Sequence, residues 1–181
     1  MLLYNNLNNL NSAIIDFKLK STDGKYYSLE DFNKNKVIVI IFMCNHCPYV
    51  LAVINRLIKL QNYFKDKYVQ FIGISPNDVQ SYPEDSYENM IKFYKTHKMN
   101  FPYLYDETQE IAKKYDAVCT PDIYVYDNNR VLKYRGRIDD NWQNENEVKN
   151  EELRNAINLI LDSKEPDENQ FPSMGCSIKW K

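Results

Sequence analysis

Cys44 and Cys47 form a C-x-x-C pair with His46 inside it. That spacing suits half of a zinc site, a redox dithiol, or two small thiols packed in a core. A zinc site of the usual kind needs a second paired motif, whereas Cys119, Cys176 and His97 are scattered singly. The redox reading is therefore preferred, with no metal and no cofactor required. Its chemistry is exchange: a thiolate attacks a disulfide sulfur, and a second thiol resolves the mixed disulfide.

Such chemistry needs elements that hold and activate the sulfurs. Val37 to Met43 is a β-branched run, apolar on both faces, which predicts a strand inside a covered sheet with Cys44 at its end. Beyond the pair, Val50, Val53, Ile54, Leu57, Ile58 and Phe64 recur at the period of a helix that buries one face. Pro48 fits the first turn of that helix, where backbone N–H groups have no intrahelical partner. The helix start then offers free N–H groups and a positive dipole end, which favour the thiolate. A protonated His46 would add to this; the alternative is an exposed first-turn residue.

The rest of the chain alternates in the same way. Phe17 to Lys20 and Tyr26 to Leu29 flank the turn Thr22-Asp23-Gly24-Lys25 and predict a hairpin. Tyr68 to Ser75 is the next strand, and Pro83 is expected to open a helix through about Met99. Phe101 to Tyr105 is a short strand, and Asp106 with Gln109 resembles a capping box for the helix holding Ile111, Ala112 and Tyr115. Asp122 to Asp127 and Val131 to Arg137 make a second hairpin around Asn128-Asn129-Arg130. Polar residues 139–150 read as an exposed loop, and Leu153 to Leu161 as a closing helix. The charges of Arg135, Arg137, Asp139 and Asp140 read as a solvated cluster at a strand end. The pattern implies an α/β mixed central sheet flanked by helices.

The composition bounds the possibilities. With 181 residues, 44% of them hydrophobic, the chain suits one domain with a sizeable core. Lys plus Arg number 23 against 25 Asp plus Glu, so nothing predicts a nucleic acid partner. The longest apolar run, Val37 to Cys44, is eight residues, far short of the roughly 20 that cross a bilayer. The opening segment MLLYNNLNNLNSAIIDF lacks the charged start and continuous apolar stretch of a secretory signal, so a cytoplasmic protein is expected. Four cysteines in such a chain are no disulfide framework.

The order strand, C-x-x-C at a helix start, βα units, Thr120-Pro121 before a hairpin and a last helix resembles the thioredoxin fold. The resemblance covers residues 37–163, with a hairpin extension over 14–36 similar to that of peroxiredoxins and a tail over 164–181. Closer still is a peroxiredoxin-like thioredoxin-fold family, AhpC/TSA-related proteins with a C-x-x-C motif. Its members carry segments similar to Phe42-Met-Cys-Asn-His-Cys-Pro-Tyr-Val50, Asn77-Asp78, Tyr82-Pro-Glu-Asp-Ser86, Val118-Cys-Thr-Pro-Asp122 and Pro172-Ser-Met-Gly-Cys-Ser-Ile-Lys-Trp-Lys181.

This resemblance implies a thiol–disulfide oxidoreductase. Cys44, expected nearer the exposed helix start, would attack a protein or small-molecule disulfide, and Cys47 would close the internal bond, with an unidentified electron donor. Pro121 would be a cis-proline that leaves the preceding backbone at Thr120 free to hold a partner chain. The alternatives are a thiol peroxidase using Cys47 and a non-catalytic redox-responsive binding protein. Peroxiredoxins support their cysteine with a Thr or Ser, a Pro and an Arg, where this chain has Cys44, Ile40 and Pro121. The carboxylates that thioredoxin and the tethered reductases place near the dithiol are replaced by Ile38 and Val50. Cys119 is expected in the core rather than at the dithiol. Cys176 is expected as a structural thiol of a flexible tail anchored by Trp180, the alternative being a resolving thiol.

Overall fold

The strand that leads to the cysteines, β4 (Val37–Phe42), is buried along its whole length. Its alternating side chains enter two different cores, as period-2 geometry requires. Val37, Val39 and Ile41 face one core, and Ile38, Ile40 and Phe42 the other. A strand apolar on both faces must be covered twice, and this one is. The computed structural model describes residues 1–4 and 9–181. Residues 5–8, part of the Asn-rich opening segment, lie outside the described residues.

Around β4, in chain order, are β1 (Leu2–Tyr4), β2 (Lys18–Ser21), β3 (Tyr26–Ser28), α1 (Pro48–Phe64), β5 (Val69–Ser75), α2 (Tyr87–Thr96), β6 (Tyr103–Tyr105), α3 (Glu110–Lys114), β7 (Cys119–Thr120), β8 (Asp122–Tyr126), β9 (Leu132–Gly136), α4 (Glu152–Leu161) and β10 (Met174–Ser177). The main sheet has the order β3-β2-β6-β5-β4-β8-β9. β4, β5 and β6 are parallel neighbours, whereas β8 lies antiparallel to β4. Apolar residues of α1, α2 and α4 fill one core; α3 and the hairpin region, through Phe17 and Phe32, fill the other. No helix among the described residues is long and apolar enough to cross a membrane.

Four local expectations change. The helix expected from Pro83 is a 3-10 turn, Pro83–Asp85, followed by a fresh start at Tyr87, where the Ser86 hydroxyl caps the N–H of Asn89. Asp106 does cap α3, but through the N–H groups of Ile111 and Ala112, and Gln109 takes no part in a reciprocal box. Its amide instead donates to Pro76 and Lys179 carbonyls. The charged cluster is solvated only in part: Arg137 and Asp140 stay partly exposed, whereas Arg135 and Asp139 are buried. Arg135 and Asp122 are 1% and 0% exposed and pair at 2.9 Å; Asp139, at the start of the expected exposed loop, is buried against Arg56. Arg135 and Asp139 are desolvated by strand pairing or by α1, and a buried charge requires a partner.

The fourth change concerns the tail. Rather than hanging loose, residues 174–177 form β10, the middle strand of a second sheet, β1-β10-β7. Trp180 does not anchor it, being 42% exposed; Ile178 is buried in its place. Lys179 is held through Asn77 and Asp78, and Lys181 through Gln109.

Candidate active site

Cys44 lies two residues beyond the end of β4, and Cys47 is the N-cap of α1, with Pro48 at the first helical position. The Thr120–Pro121 peptide is cis, and it brings Thr120 against both sulfurs. The Thr120 hydroxyl lies 3.4 Å from Cys44 Sγ, and Cys47 Sγ lies 3.1 Å from the Thr120 carbonyl, to which it donates while it is a thiol and not once it is ionised. Local elements thus bring together Cys44, Cys47, Thr120 and Pro121.

The two thiols are electrostatically unequal. A hydrogen bond with Cys44 acts first on Cys47; the Val50 N–H, the Thr120 hydroxyl and the Cys176 N–H add to it against the cost of burial. Together they lower the Cys47 thiol to about 5. The same bond to Cys47, then burial and the nearby Asp85 charge, push Cys44 well above the ordinary thiol range. One proton shared between neighbouring sulfurs stabilises one thiolate at the expense of the other. The helix start favours Cys47. The expected exposure of Cys44 at the helix start is not met: both sulfurs are buried, Cys44 being 1% exposed and Cys47 0%.

The cover over them is β10. Its Cys176 pairs with Thr120 and its Ser177 with Cys119, antiparallel. The backbone before Pro121, expected to be free for a partner chain, is occupied by the protein's own tail. Cys176 is partly exposed; burial and then its interaction with Cys47 push its thiol up to about 11. Cys119 is fully buried in β7, where burial raises its thiol and its sulfur points to the Pro121 and Ser173 carbonyls. It stands apart from the exchange pair as an inert core thiol.

His46 is partly exposed and lies beside Cys44, held by other side chains. Its Nδ1 lies 2.7 Å from Asp85 Oδ2, and its ring stacks on Tyr82. Asp85 is the residue that sequence reasoning missed. Fully buried, it accepts from the Asn45 N–H at 2.7 Å and from Asn77 Nδ2 at 2.7 Å. Tyr103 completes the frame by donating its hydroxyl to Asn45 Oδ1 at 3.0 Å. The segments around Asn77 and Tyr82 to Ser86 carried the signal, though no spacing rule links them to position 44. Cys44, His46 and Asp85 each offer one metal-ligand atom within 4.8 Å of the others. The Asp85 oxygens are already committed to Asn45 and Asn77, so the trio reads as a structural and electrostatic support for the cysteine loop.

Two clefts flank this region. One of about 210 Å³ opens beside Pro121, lined in part by Tyr49, Trp142 and Met174. The larger, of about 460 Å³, lies over Arg56 and Arg154 and contains neither cysteine of the pair.

Known proteins share this fold. A crystal structure of a conserved protein from Geobacillus kaustophilus superposes with a TM-score of 0.95 at 44% identity, covering 100% of this chain and 97% of that one. A protein from Sinorhizobium meliloti 1021 gives 0.94 at 34%, covering 98% of each. The thioredoxin domain of a thiol-disulfide oxidoreductase from Bacteroides vulgatus gives 0.60 at 22%, over 70% of this chain and 86% of that one, a likeness of fold. Among curated relatives, the chloroplastic peroxiredoxin Q of Oryza sativa subsp. japonica is 27% identical over 130 residues, 68% of this chain and 56% of that protein. The bcp protein of Helicobacter pylori (strain J99 / ATCC 700824) is 28% identical over 102 residues, 56% of this chain and 62% of that one. The chain thus spans less than two thirds of the length of either. Residues 10–135 match the AhpC/TSA family, a stretch that runs from the N-terminal hairpin through the cysteine pair and the cis-proline to β9. With its thioredoxin-like fold, the chain belongs to the AhpC/TSA family.

Proposed function

We propose that this protein is a thiol–disulfide oxidoreductase in which Cys47 is the attacking thiolate and Cys44 the resolving thiol. The observation that carries this reading is the buried C-x-x-C pair at the start of α1, both sulfurs held against Thr120, with the Cys47 thiol lowered to about 5 and the Cys44 thiol raised. Cys47 attacks a protein or small-molecule disulfide, one partner sulfur leaves as a thiolate, and a mixed disulfide forms. Cys44 then loses its proton, attacks the Cys47 sulfur, expels the second partner sulfur and closes the Cys44–Cys47 bond. Two equivalents of a donor thiol, or one dithiol, then reopen the Cys44–Cys47 bond through a mixed disulfide and leave as the oxidised disulfide, returning the pair to the reduced state. In the cytoplasm, where thiols are kept reduced, the pair would run as a reductant.

The test is turnover of a chromogenic aryl disulfide and of insulin with dithiothreitol as donor. Wild type accelerates both, Cys47→Ser loses the effect, and Cys44→Ser is slowed. Equal turnover in wild type and Cys47→Ser overturns the reading.

A second reading, thiol peroxidase, draws on one feature: Cys44 offers its hydrogen bond to Cys47 from the position where peroxiredoxins place a hydroxyl. Against it, the leading groups that act on Cys47 (Cys44, Val50, Thr120 and Cys176) are all neutral, so a developing oxyanion gains no cationic support from them. Stopped-flow mixing with hydrogen peroxide decides it: sulfenate formation no faster than in free cysteine removes this reading.

A further inference from the structure

The second sheet places a third sulfur where a partner's sulfur would come. In an exchange enzyme of this shape, a bound chain adds as a strand beside the residues before Pro121. β10 already does this from within the chain, with Cys176 in register with Thr120. Thr120, the residue opposite Cys176, is the one whose carbonyl lies 3.1 Å from Cys47 Sγ, and Cys176 packs on the core that holds both sulfurs; each of the two groups accordingly acts on the other's titration. The approach is close enough to require a glycine next to it, because a β-carbon on Gly175 would meet the Thr120 carbonyl oxygen at 2.0 Å. The strand is held on its other edge by β1, Leu2 facing Cys176, and beyond it by Asn77, Asp78 and Gln109. Cys176 is the partly exposed one of the three, so it sits between the buried dithiol and solvent.

We propose that Cys176 is a further catalytic residue, a second resolving thiol that closes a Cys47–Cys176 disulfide across β10. The proposal rests on the reading of Cys47 as the exchanging thiolate. In its chemistry, Cys47 thiolate attacks a small disulfide RSSR, forming Cys47–S–SR and releasing RS⁻. Cys176 gives up its proton to solvent and attacks the Cys47 sulfur. The Cys47–Cys176 bond forms, the bond to SR breaks, and a second RS⁻ leaves. One disulfide is reduced to two thiols while one protein disulfide is made. Cys44 and Cys176 therefore compete for the same mixed disulfide, from the strand side and from the tail side. Closure by Cys176 covalently ties the tail over the partner-chain edge, and closure by Cys44 leaves the tail held by hydrogen bonds alone.

The experiment uses glutathione disulfide as RSSR, acid quenching, alkylation and mass spectrometry of intact protein and unreduced peptides. In Cys44→Ser, a glutathione adduct on Cys47 should appear and then convert to an adduct-free monomer with peptides linked through Cys47 and Cys176. In the Cys44→Ser/Cys176→Ser double variant, the adduct should persist, decaying at least about tenfold more slowly. An adduct equally long-lived in both variants overturns the role of Cys176 and leaves the exchange reading standing. No adduct on Cys47 in either variant overturns the exchange reading itself. Should Cys44→Ser not fold, wild type in graded glutathione redox buffers supplies the answer. A Cys47–Cys176 peptide then supports the proposal, and Cys44–Cys47 alone at every ratio overturns it.

Discussion

Gly175 packs against Thr120 so closely that a β-carbon there would lie 2.0 Å from the Thr120 carbonyl oxygen and 3.1 Å from the Pro121 nitrogen. The neighbour is backbone and cannot swing away. Gly175→Ala must therefore lift β10 from β7 while the main sheet, which β10 does not join, stays intact. The expected result is faster alkylation of Cys47 by iodoacetamide, followed by mass spectrometry, with a stability loss of about 1–3 kcal/mol from the overpacked contact. Unchanged alkylation would mean that β10 is not what covers the pair.

Titration of Cys47 should be visible in the thiolate ultraviolet absorbance of the reduced protein, with a midpoint near 5. Its folded-state value lies below the ordinary thiol value of about 8.5. The stability it contributes is full above that ordinary value and is lost as pH falls through about 5. Cys44 and Cys119 are shifted the other way, so above the ordinary thiol value they withdraw stability as the unfolded chain ionises first. Urea denaturation of reduced protein across pH should accordingly rise from acid toward neutrality and turn down in alkali. Cys47→Ala should remove the rising contribution from this group.

Asp85 gives a separate handle on Cys44. Its charge is among the causes that hold the Cys44 thiol up. Asp85→Asn should lower the Cys44 value, measured by the pH dependence of its alkylation. An amide has one acceptor where the carboxylate had two, while the Asn45 N–H and Asn77 amide still require acceptors. A stability cost of about 1–3 kcal/mol should accompany the change, read from denaturant unfolding. An unmoved Cys44 titration would argue that burial and Cys47 alone set it.

Arg135→Met should be among the more damaging substitutions in the protein. The guanidinium pairs with Asp122 at 2.9 Å, donates to the Asp116 carbonyl and lies over the Tyr124 ring, all within the core. Removing it leaves a carboxylate 0% exposed without its counter-ion, at a cost of about 3–5 kcal/mol. Pairing the change with Asp122→Leu should recover part of the loss, and a double-mutant cycle by urea denaturation measures how much.

How far the amino-acid order alone reached follows from the range of the interactions concerned. Val37 to Phe42 is a strand because its β-branched residues suit a doubly covered sheet, and Pro48 to Phe64 is a helix because its apolar period is helical. Both signals lie within a few residues of the cysteines they position, and the turn signal between β8 and β9 is equally local to the two strands it joins. Four features depended on contacts between distant segments. Asp85 meets the N–H of Asn45 forty residues away in sequence. Arg56 meets Asp139 at a separation of 83, turning an apparently solvated charge into a buried one. The identity of the lowered thiol hung on donors from Val50, Thr120 and Cys176 converging on one sulfur. Above all, the return of Met174–Ser177 to Thr120 left no local trace beyond one glycine, because strand pairing is specified by the surface a segment meets. Residue types and spacing determined that the chain carries a dithiol at a helix start; only the folded chain decided that the pair is buried against Thr120 and that its own tail covers it.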